Sequence, residues 1–185
     1  MKERPILFNA PMVRALLNGT KTQTRRVVKL RNGQYMPPSE RKDPNGWRQM
    51  LRLCPYGKPG DRLWVRETWT QEWVRPKQGA EVFYRADGEV APEFEPWIPS
   101  IHMFRWASRI TLEIVSVRIE RLQDISRGDA MAEGCPFPNM ADGPDPTQWY
   151  ADLWQQINGS GSGSWSANPL VWVVEFKPLI LDAAA

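Results

Sequence analysis

The chain has 185 residues, of which 42% are hydrophobic and 11% aromatic, and its formal charge is +3. This composition excludes an intrinsically disordered chain, and no run approaches the roughly 18 apolar residues of a membrane-spanning helix. The first residues, MKERPILFNAP, lack the long apolar stretch of a secretory signal. We therefore expect a cytoplasmic protein with reduced thiols and no membrane association.

Charge is unevenly distributed along the chain. Residues 1–66 contain 15 Lys/Arg and 4 Asp/Glu, a net +11, whereas residues 67–185 contain 9 and 17, a net −8. Clustered cations attract phosphates, so the asymmetry indicates a nucleic-acid partner unless the two halves interleave in space. Cys54, His102 and Cys135 do not have the spacing of a zinc site, and we predict neither a metal nor a cofactor.

The first elements are predicted from caps and apolar runs. Residues 5–8 form a short apolar run typical of a strand. Asn9 can cap a following helix, and Gly19 can end that helix. Residues 21–28 are then predicted to be extended.

The middle of the chain is predicted to be β-rich. Alternation in DRLWVRETWT (61–70) predicts one strand. The same face of that strand is predicted to carry Leu63, Val65 and Glu67. Residues 81–86 are predicted to form another strand, and residues 110–122 a long one. The apolar positions of the long strand change phase near 115–116, which predicts a bulge or sharp bend, as small barrels have.

The C-terminal part mixes helix and strand. A capping-box pattern at Ser126 predicts a short helix that ends at Gly134. A second helix is predicted to start at 145–146, and residues 170–179 read as a final strand. One face of the second helix is predicted to carry Trp149, Leu153 and Ile157.

These elements predict an α+β fold, a partly closed β-barrel with flanking short helices and long loops. We expect a single domain over residues 1–185. Its loop insertions are predicted at about 29–58, 87–104 and 135–168.

The stretch NGTKTQTRR (18–26) contains six Thr, Lys or Arg residues and no apolar residue. In a strand, the even-numbered side chains would share one face, and Lys21 would lie on the other. Lys21 and Thr24 can meet if the preceding turn persists through residue 22 or 23. The alternative is a solvated basic edge without a functional role.

This stretch resembles the motif Gly-x-Lys-x-x-Glu-x-Arg of ASCH domains, a branch of the PUA-like barrel families. The matching residues are Gly19, Lys21 and Arg26, whereas Thr24 replaces the usual Glu. That replacement is shared with the small bacterial 4-acetylcytidine amidohydrolases. The chain is also similar to ASCH proteins of bacterial prophages in RPILFNAPMVRALLNGTKTQTRR, PYGKPGDRLWVRETW and RWASRITLEI.

The resemblance implies a catalytic set of Lys21, Thr24 and Glu133, with Arg26 holding a phosphate or an oxyanion. A Thr hydroxyl needs a base, and a Lys can be that base only if burial lowers its pKa. A carboxylate beside Lys21 would raise that pKa and oppose the role. The structural alternatives are an exposed Glu133, a bracing Thr24, and phosphate contacts for the two cations.

A wider set of ligand-binding side chains is predicted around these residues: Arg26, Trp64, Arg66, Glu67, Trp106 and Arg109. Tryptophans can stack on bases and arginines can contact phosphates, but a Trp can equally be a core anchor. Glu67 can instead be a buried partner of Arg66 or Arg109.

The leading functional prediction is binding of a nucleic acid or modified nucleobase in a cleft lined by Lys21, Thr24, Arg26 and Glu133. RNA or a modified nucleoside is the expected partner, with DNA as an alternative. Three other functions stay open: an amidohydrolase that removes the acyl group of 4-acetylcytidine-type nucleosides, a ribonuclease, and a phage protein-interaction module. The sequence does not determine the oligomeric state.

Overall fold

The fold is seen in a computed structural model that describes residues 1–29, 50–73, 80–88, 96–137 and 143–179. The described strands are β1 (Glu3–Leu7), β2 (Gln23–Val27), β3 (Arg62–Arg66), β4 (Trp69–Trp73), β5 (Ala80–Tyr84), β6 (Thr111–Arg121) and β7 (Leu170–Leu179). The α-helices that lie wholly within the described residues are α1 (Ala10–Leu17), α2 (Arg127–Ala132) and α3 (Pro146–Asn158). Five strands form one sheet, and β4 pairs with β5 in a second. This mixture confirms the predicted α+β class.

The main sheet has the order β1-β3-β6-β7-β2. Strands β1 and β3 are parallel, and the other neighbours are antiparallel. The pairing of β6 with β7 shifts register between Ile114 and Ser116, so the predicted bulge is confirmed. The bulge bends the longest strand and lets the sheet curl.

The curl brings the two edge strands of the main sheet together. Arg26 of β2 donates from Nη2 to the carbonyl oxygen of Leu7 in β1, at 2.8 Å. No backbone ladder joins β1 to β2 within the described strands, so a side chain bridges the gap. The result is the predicted partly closed barrel. Its interior core contains Ile6, Phe8, Val13, Leu16, Leu63, Val65, Leu112, Trp172, Val174 and Phe176.

Helix α1 begins and ends where the caps predict. The Asn9 side chain accepts a hydrogen bond from the Met12 amide at 3.0 Å, and Gly19 adopts φ +73° beyond the last turn. The turn returns the chain along the helix, where the Lys21 amide donates to the carbonyl of Ala15 at 3.0 Å. The extended β2 then follows, as predicted.

The prediction of one strand over 61–70 is wrong, because the chain changes sheet after Arg66. Strand β3 belongs to the main sheet, whereas β4 pairs with β5. Between them, the Glu67 amide donates to Met103 Sδ at 3.3 Å, and Trp69 forms a bridge with Ile98. The apolar alternation continues through this break, so the pattern does not reveal it. Glu67 is nevertheless buried with Leu63 and Val65, as the alternation predicts.

Helices α2 and α3 pack beside the outer face of β7. The buried residues of α3 are Pro146, Tyr150, Ala151 and Trp154, of which Tyr150 and Trp154 belong to a cluster with Val171 and Val173. The buried face is therefore shifted by one residue from the predicted face of Trp149, Leu153 and Ile157. Ile157 is 52% exposed. Tyr150 and Trp154 fill the space against the sheet. The residues next to them are left at the rim of a cavity.

The predicted loops lie only partly within the described residues. Residues 30–49, 89–95 and 138–142 lie outside them. The described remainder contains a helical turn at 50–51 and a 3-10 turn at Ser100–His102. Among the described helices, none combines the length and the apolarity needed to cross a bilayer.

We predict that Gly134→Ala destabilises the fold by about 1–3 kcal/mol. Gly134 has φ +98°, and a Cβ there would lie 2.9 Å from the Ala15 Cβ atom. Urea unfolding measures the effect. Gly128→Ala is the matched control, because its nearest contact would be 3.8 Å and its site lies within α2. The control should be neutral or stabilising by up to about 1 kcal/mol. Equal destabilisation by both substitutions would contradict the prediction.

Candidate ligand-binding site

A buried ion pair joins Lys21, which precedes β2, to Glu133 at the end of α2. Lys21 Nζ lies 2.7 Å from Glu133 Oε2 and also donates to the Glu133 carbonyl oxygen at 3.0 Å. The two residues form an isolated β-bridge. Glu133 is the C-cap of α2, and the left-handed Gly134 turns the chain back toward α1. The structure thus brings together two predicted site residues that are 112 positions apart.

The same carboxylate binds a second buried cation, Arg25. Arg25 Nη1 lies 3.2 Å from Glu133 Oε1, while its Nη2 lies 3.1 Å from Glu120 and 3.3 Å from Asp129. Each oxygen of Glu133 therefore faces a different cation. Arg25 was missed by sequence reasoning, although it lies inside the motif and strand alternation points it away from Thr24.

Hydrogen bonds and cations keep the Asp129 carboxylate ionised. Burial opposes this, but hydrogen bonds from Gln23 and Ser126 and the charges of Arg25 and Arg118 lower the pKa of Asp129 to about 2. The Ser126 hydroxyl also caps α2 by accepting from the Asp129 amide at 3.0 Å. Asp129 thus ties the start of α2 to the sheet, which fixes the direction in which Glu133 leaves the helix.

Thr24 and Arg26 form a separate pair on the inner face of β2. The Thr24 hydroxyl accepts from Arg26 Nη1 at 2.8 Å and is fully buried. The Arg26 guanidinium lies 5.4 Å from the centre of the Phe8 ring, and Lys21 Nζ lies 5.6 Å from the same centre. Thr24 is thus a partner of Arg26, and the described hydrogen bonds of the Lys21 ammonium go to Glu133.

A cavity of about 340 Å³ opens between the edge strands, under α3. Its walls include Leu7, Phe8, Asn9, Met12, Arg25, Arg26, Val27, Thr68, Ser100, Glu133, Tyr150, Leu153, Trp154, Ile157 and Asn158. Of the four residues predicted to line a cleft, Arg26 and Glu133 are in these walls. Lys21 and Thr24 lie behind them. The cavity therefore presents two guanidiniums, those of Arg25 and Arg26, and the carboxylate of Glu133.

Burial shifts the proton equilibria of the side chains at this site. It lowers the pKa of Lys21 below its ordinary value, although the charge and hydrogen bond of Glu133 oppose the shift. It raises the pKa of Tyr150 well above its ordinary value, and the nearby Glu133 carboxylate adds to that effect. The Tyr150 hydroxyl therefore stays protonated near neutral pH.

Two other predicted residues form an ion pair away from the cavity walls. Arg109 bonds both oxygens of Glu67, at 3.0 and 3.1 Å, and also binds Asp87. Its guanidinium lies 3.9 Å from the centre of the Tyr84 ring. Burial raises the pKa of Glu67, and the Arg109 hydrogen bonds and charge oppose that shift. This geometry matches the structural alternative, in which Glu67 is a buried partner of Arg109.

Of the remaining predicted residues, Trp64 and Arg66 lie on the outer face of the main sheet, and Trp106 lies in the 3-10 turn Arg105–Ala107. Trp64 has the guanidinium of Arg66 5.4 Å from its ring centre and that of Arg105 at 5.9 Å. Trp106 is 59% exposed. Trp64, Arg66 and Trp106 are not in the walls of the cavity. Among the described residues, no group of His, Cys, Asp and Glu has the arrangement of a metal site.

The fold is similar to two solved bacterial structures. An ASCH domain from Lactobacillus crispatus JV V101 is 14% identical, with a TM-score of 0.42, over 96% of this chain and 79% of that one. A protein from Enterococcus faecalis V583, of family DUF984, is 10% identical, with a TM-score of 0.46, over 100% of this chain and 84% of that one. No family model and no curated protein sequence matches the chain.

We predict that Glu133→Gln destabilises the protein by about 3–5 kcal/mol, because it leaves Lys21 and Arg25 as buried cations without their shared counter-charge. Urea unfolding measures the loss. Glu113→Gln is the matched control, since Glu113 pairs with Lys177 at 3.4 Å on the surface and should cost at most about 1 kcal/mol. Adding Lys21→Met to Glu133→Gln should restore part of the loss. Equal effects of the two Glu→Gln changes would contradict the shared-carboxylate interpretation.

Proposed function

We propose that the chain binds a nucleobase of RNA or of a modified nucleoside in the cavity between β1, β2 and α3. The observation that carries this proposal is that Arg26 and Glu133 both line a cavity of about 340 Å³ with aromatic walls. Ligand pockets have volumes of about 300–1,000 Å³, with mostly apolar walls and a few placed polar groups. A single base meets these conditions, whereas a duplex does not.

The polar groups suit the hydrogen-bonding edge of a base. Each carboxylate oxygen of Glu133 has one bonded cation, and Tyr150 also hydrogen-bonds the carboxylate, which leaves accepting capacity for one amino or ring N–H. Arg26 uses three of its five N–H donors in described bonds, to Thr24, Arg25 and Leu7. The others are suited to a base carbonyl or a phosphate oxygen.

The apolar walls suit the faces of a base. Phe8, Tyr150 and Trp154 contribute aromatic rings to the cavity. Stacking on an aromatic side chain stabilises a bound base by about 1–3 kcal/mol. A second cavity, of about 780 Å³, shares Glu133 and Leu153 with the first and offers space beside the base. The resemblance of Gly19, Lys21 and Arg26 to the ASCH motif supports the same ligand class.

Hydrolysis of an acylated cytidine is the second candidate function. The observation that favours it is the ammonium of Lys21, whose pKa is lowered by burial and which contacts Glu133 at 2.7 Å. The position of Thr24 argues against it, because its hydroxyl is enclosed and accepts from Arg26. A nucleophile must reach the substrate, and Thr24 is not in the cavity walls. Binding is therefore the better-supported function.

We predict that cytidine 5′-monophosphate and 4-acetylcytidine bind the wild-type protein, and that Leu153→Trp weakens both at least about tenfold by filling the cavity. Isothermal titration calorimetry measures the affinities, with inorganic phosphate as the ligand control. Gln155→Trp is the matched variant, because it adds the same ring to an exposed position of α3 outside the walls. Absence of binding by the wild type, or equal losses in both variants, would refute the proposed pocket.

If the hydrolase candidate is correct, we predict that the wild-type protein hydrolyses 4-acetylcytidine to cytidine and acetate and that this activity requires Lys21. Chromatography measures cytidine release. Lys21→Met should then reduce the rate by about 10²–10⁴-fold, as expected for loss of a general base. Thr24→Val should abolish release while Thr24→Ser retains it, and circular dichroism verifies folding of each variant. Background release by the wild type, equal to that of Lys21→Met, would eliminate this candidate.

A further inference from the structure

An aromatic pair stands on the outer surface near the cavity. Phe104 and Trp106 are 61% and 59% exposed, and they are the only exposed aromatic side chains among residues whose burial is described. Their rings are nearly parallel, at 11°, with centres 6.3 Å apart. Both stand edge-on to Trp69, which is 1% exposed. The pair is therefore braced from below and presents ring surface to solvent.

Arginine side chains lie on the neighbouring outward side of β3. Arg62 and Arg66 lie on the outward side of β3, and Arg105, between the two aromatics in sequence, packs near Trp64 on the same face. Two acidic side chains of this face are already paired, Glu3 with Arg105 and Glu113 with Lys177. Among these named side chains there are four cations and two carboxylates, which favours an anionic partner.

Arg66 connects the aromatic pair to the cavity. It donates a hydrogen bond to the carbonyl of Ile101, the residue after Ser100 in the cavity wall. It also pairs in register with Leu7, another wall residue. From Ser100 to Phe104 the chain spans at most about 14 Å, a reach that a few nucleotides cover. The guanidinium thus lies on a short route between two surfaces suited to bases.

We infer that the protein takes a single-stranded polynucleotide rather than a free nucleotide. One base occupies the cavity, a neighbouring phosphate contacts Arg66, and neighbouring bases stack on Phe104 and Trp106. This inference rests on the proposed function and adds the class of its ligand. Stacking requires unpaired bases and is tolerant of sequence, so the aromatic pair strengthens binding without selecting a base.

A protein partner fits these observations less well. A stable protein interface covers about 800 Å² on each partner and has a core depleted of charge. Here the exposed apolar residues among those described include the aromatic pair, Ile101 at 56% and Leu7 at 44%, and arginines lie among them. Parallel rings beside guanidinium groups match the stacked bases and phosphates of a single strand more closely.

The test compares a labelled short oligocytidylate, by fluorescence anisotropy, with cytidine 5′-monophosphate, by calorimetry, at low salt. The wild type should bind the oligonucleotide at least about tenfold more tightly than the mononucleotide. Trp106→Leu keeps an apolar side chain but removes the ring. It should lower the affinity for the oligonucleotide by about 5- to 100-fold and leave the affinity for the mononucleotide unchanged. Arg66→Gln should also lower only the affinity for the oligonucleotide, and it should reduce the salt dependence of that affinity.

Leu53→Ala is the control, because Leu53 is 65% exposed and lies outside the walls of the first cavity; it should leave both affinities unchanged. Mononucleotide binding without any gain for the oligonucleotide would overturn the inference and leave the proposed function standing. Oligonucleotide affinity unchanged in Trp106→Leu would also overturn it and point to a protein as the partner of the aromatic pair. If the wild type does not bind the mononucleotide, or if Leu153→Trp does not weaken that binding, the result would instead count against the proposed function.

Discussion

The rest of the site depends on one buried carboxylate that neutralises two buried cations. Glu133 holds Lys21 with one oxygen and Arg25 with the other, at 2.7 and 3.2 Å. Burying ions is costly unless each finds its partner, so this contact links the folding of β2 to that of α2. Gly134 and the cap at Ser126 serve the same contact, because they set where α2 begins and how the chain leaves it.

Successive side chains of β2 point to opposite faces of the sheet, so the motif residues fall into two groups. Thr24 and Arg26 face the barrel interior, where the hydroxyl of one fixes the guanidinium of the other. Arg25 faces the opposite side and, together with Lys21, fixes Glu133. In the cavity wall, Thr24 thus holds Arg26, while Lys21 and the wall residue Arg25 hold Glu133. Binding sites need such fixed groups for precise recognition. Fixed groups also lose less conformational entropy when a ligand arrives.

Local signals in the sequence predicted local structure well. Asn9, Gly19 and Gly134 mark helix ends because caps and left-handed turns depend on nearest neighbours, and the phase change near Val115 revealed the bulge. The change of sheet after Arg66 was missed because alternation is identical on both sides of it. Arg25 was missed as a partner of Glu133 because which face of β2 meets α2 depends on tertiary packing, and propensity carries no information about that.

The open seam of the barrel explains where a ligand can bind. A closed barrel would pair β1 with β2 and fill the space between them with backbone hydrogen bonds. Here Arg26 spans the gap with a single bond to Leu7, and the cavity lies beside it. A base in this seam would place the adjoining strand near Arg66 and the aromatic pair. Once one base is held, contacts by its neighbours become intramolecular, so even weak stacking raises the overall affinity. Under the proposed function, the seam and the outer face would contact the same strand and together bind it more tightly than either surface alone.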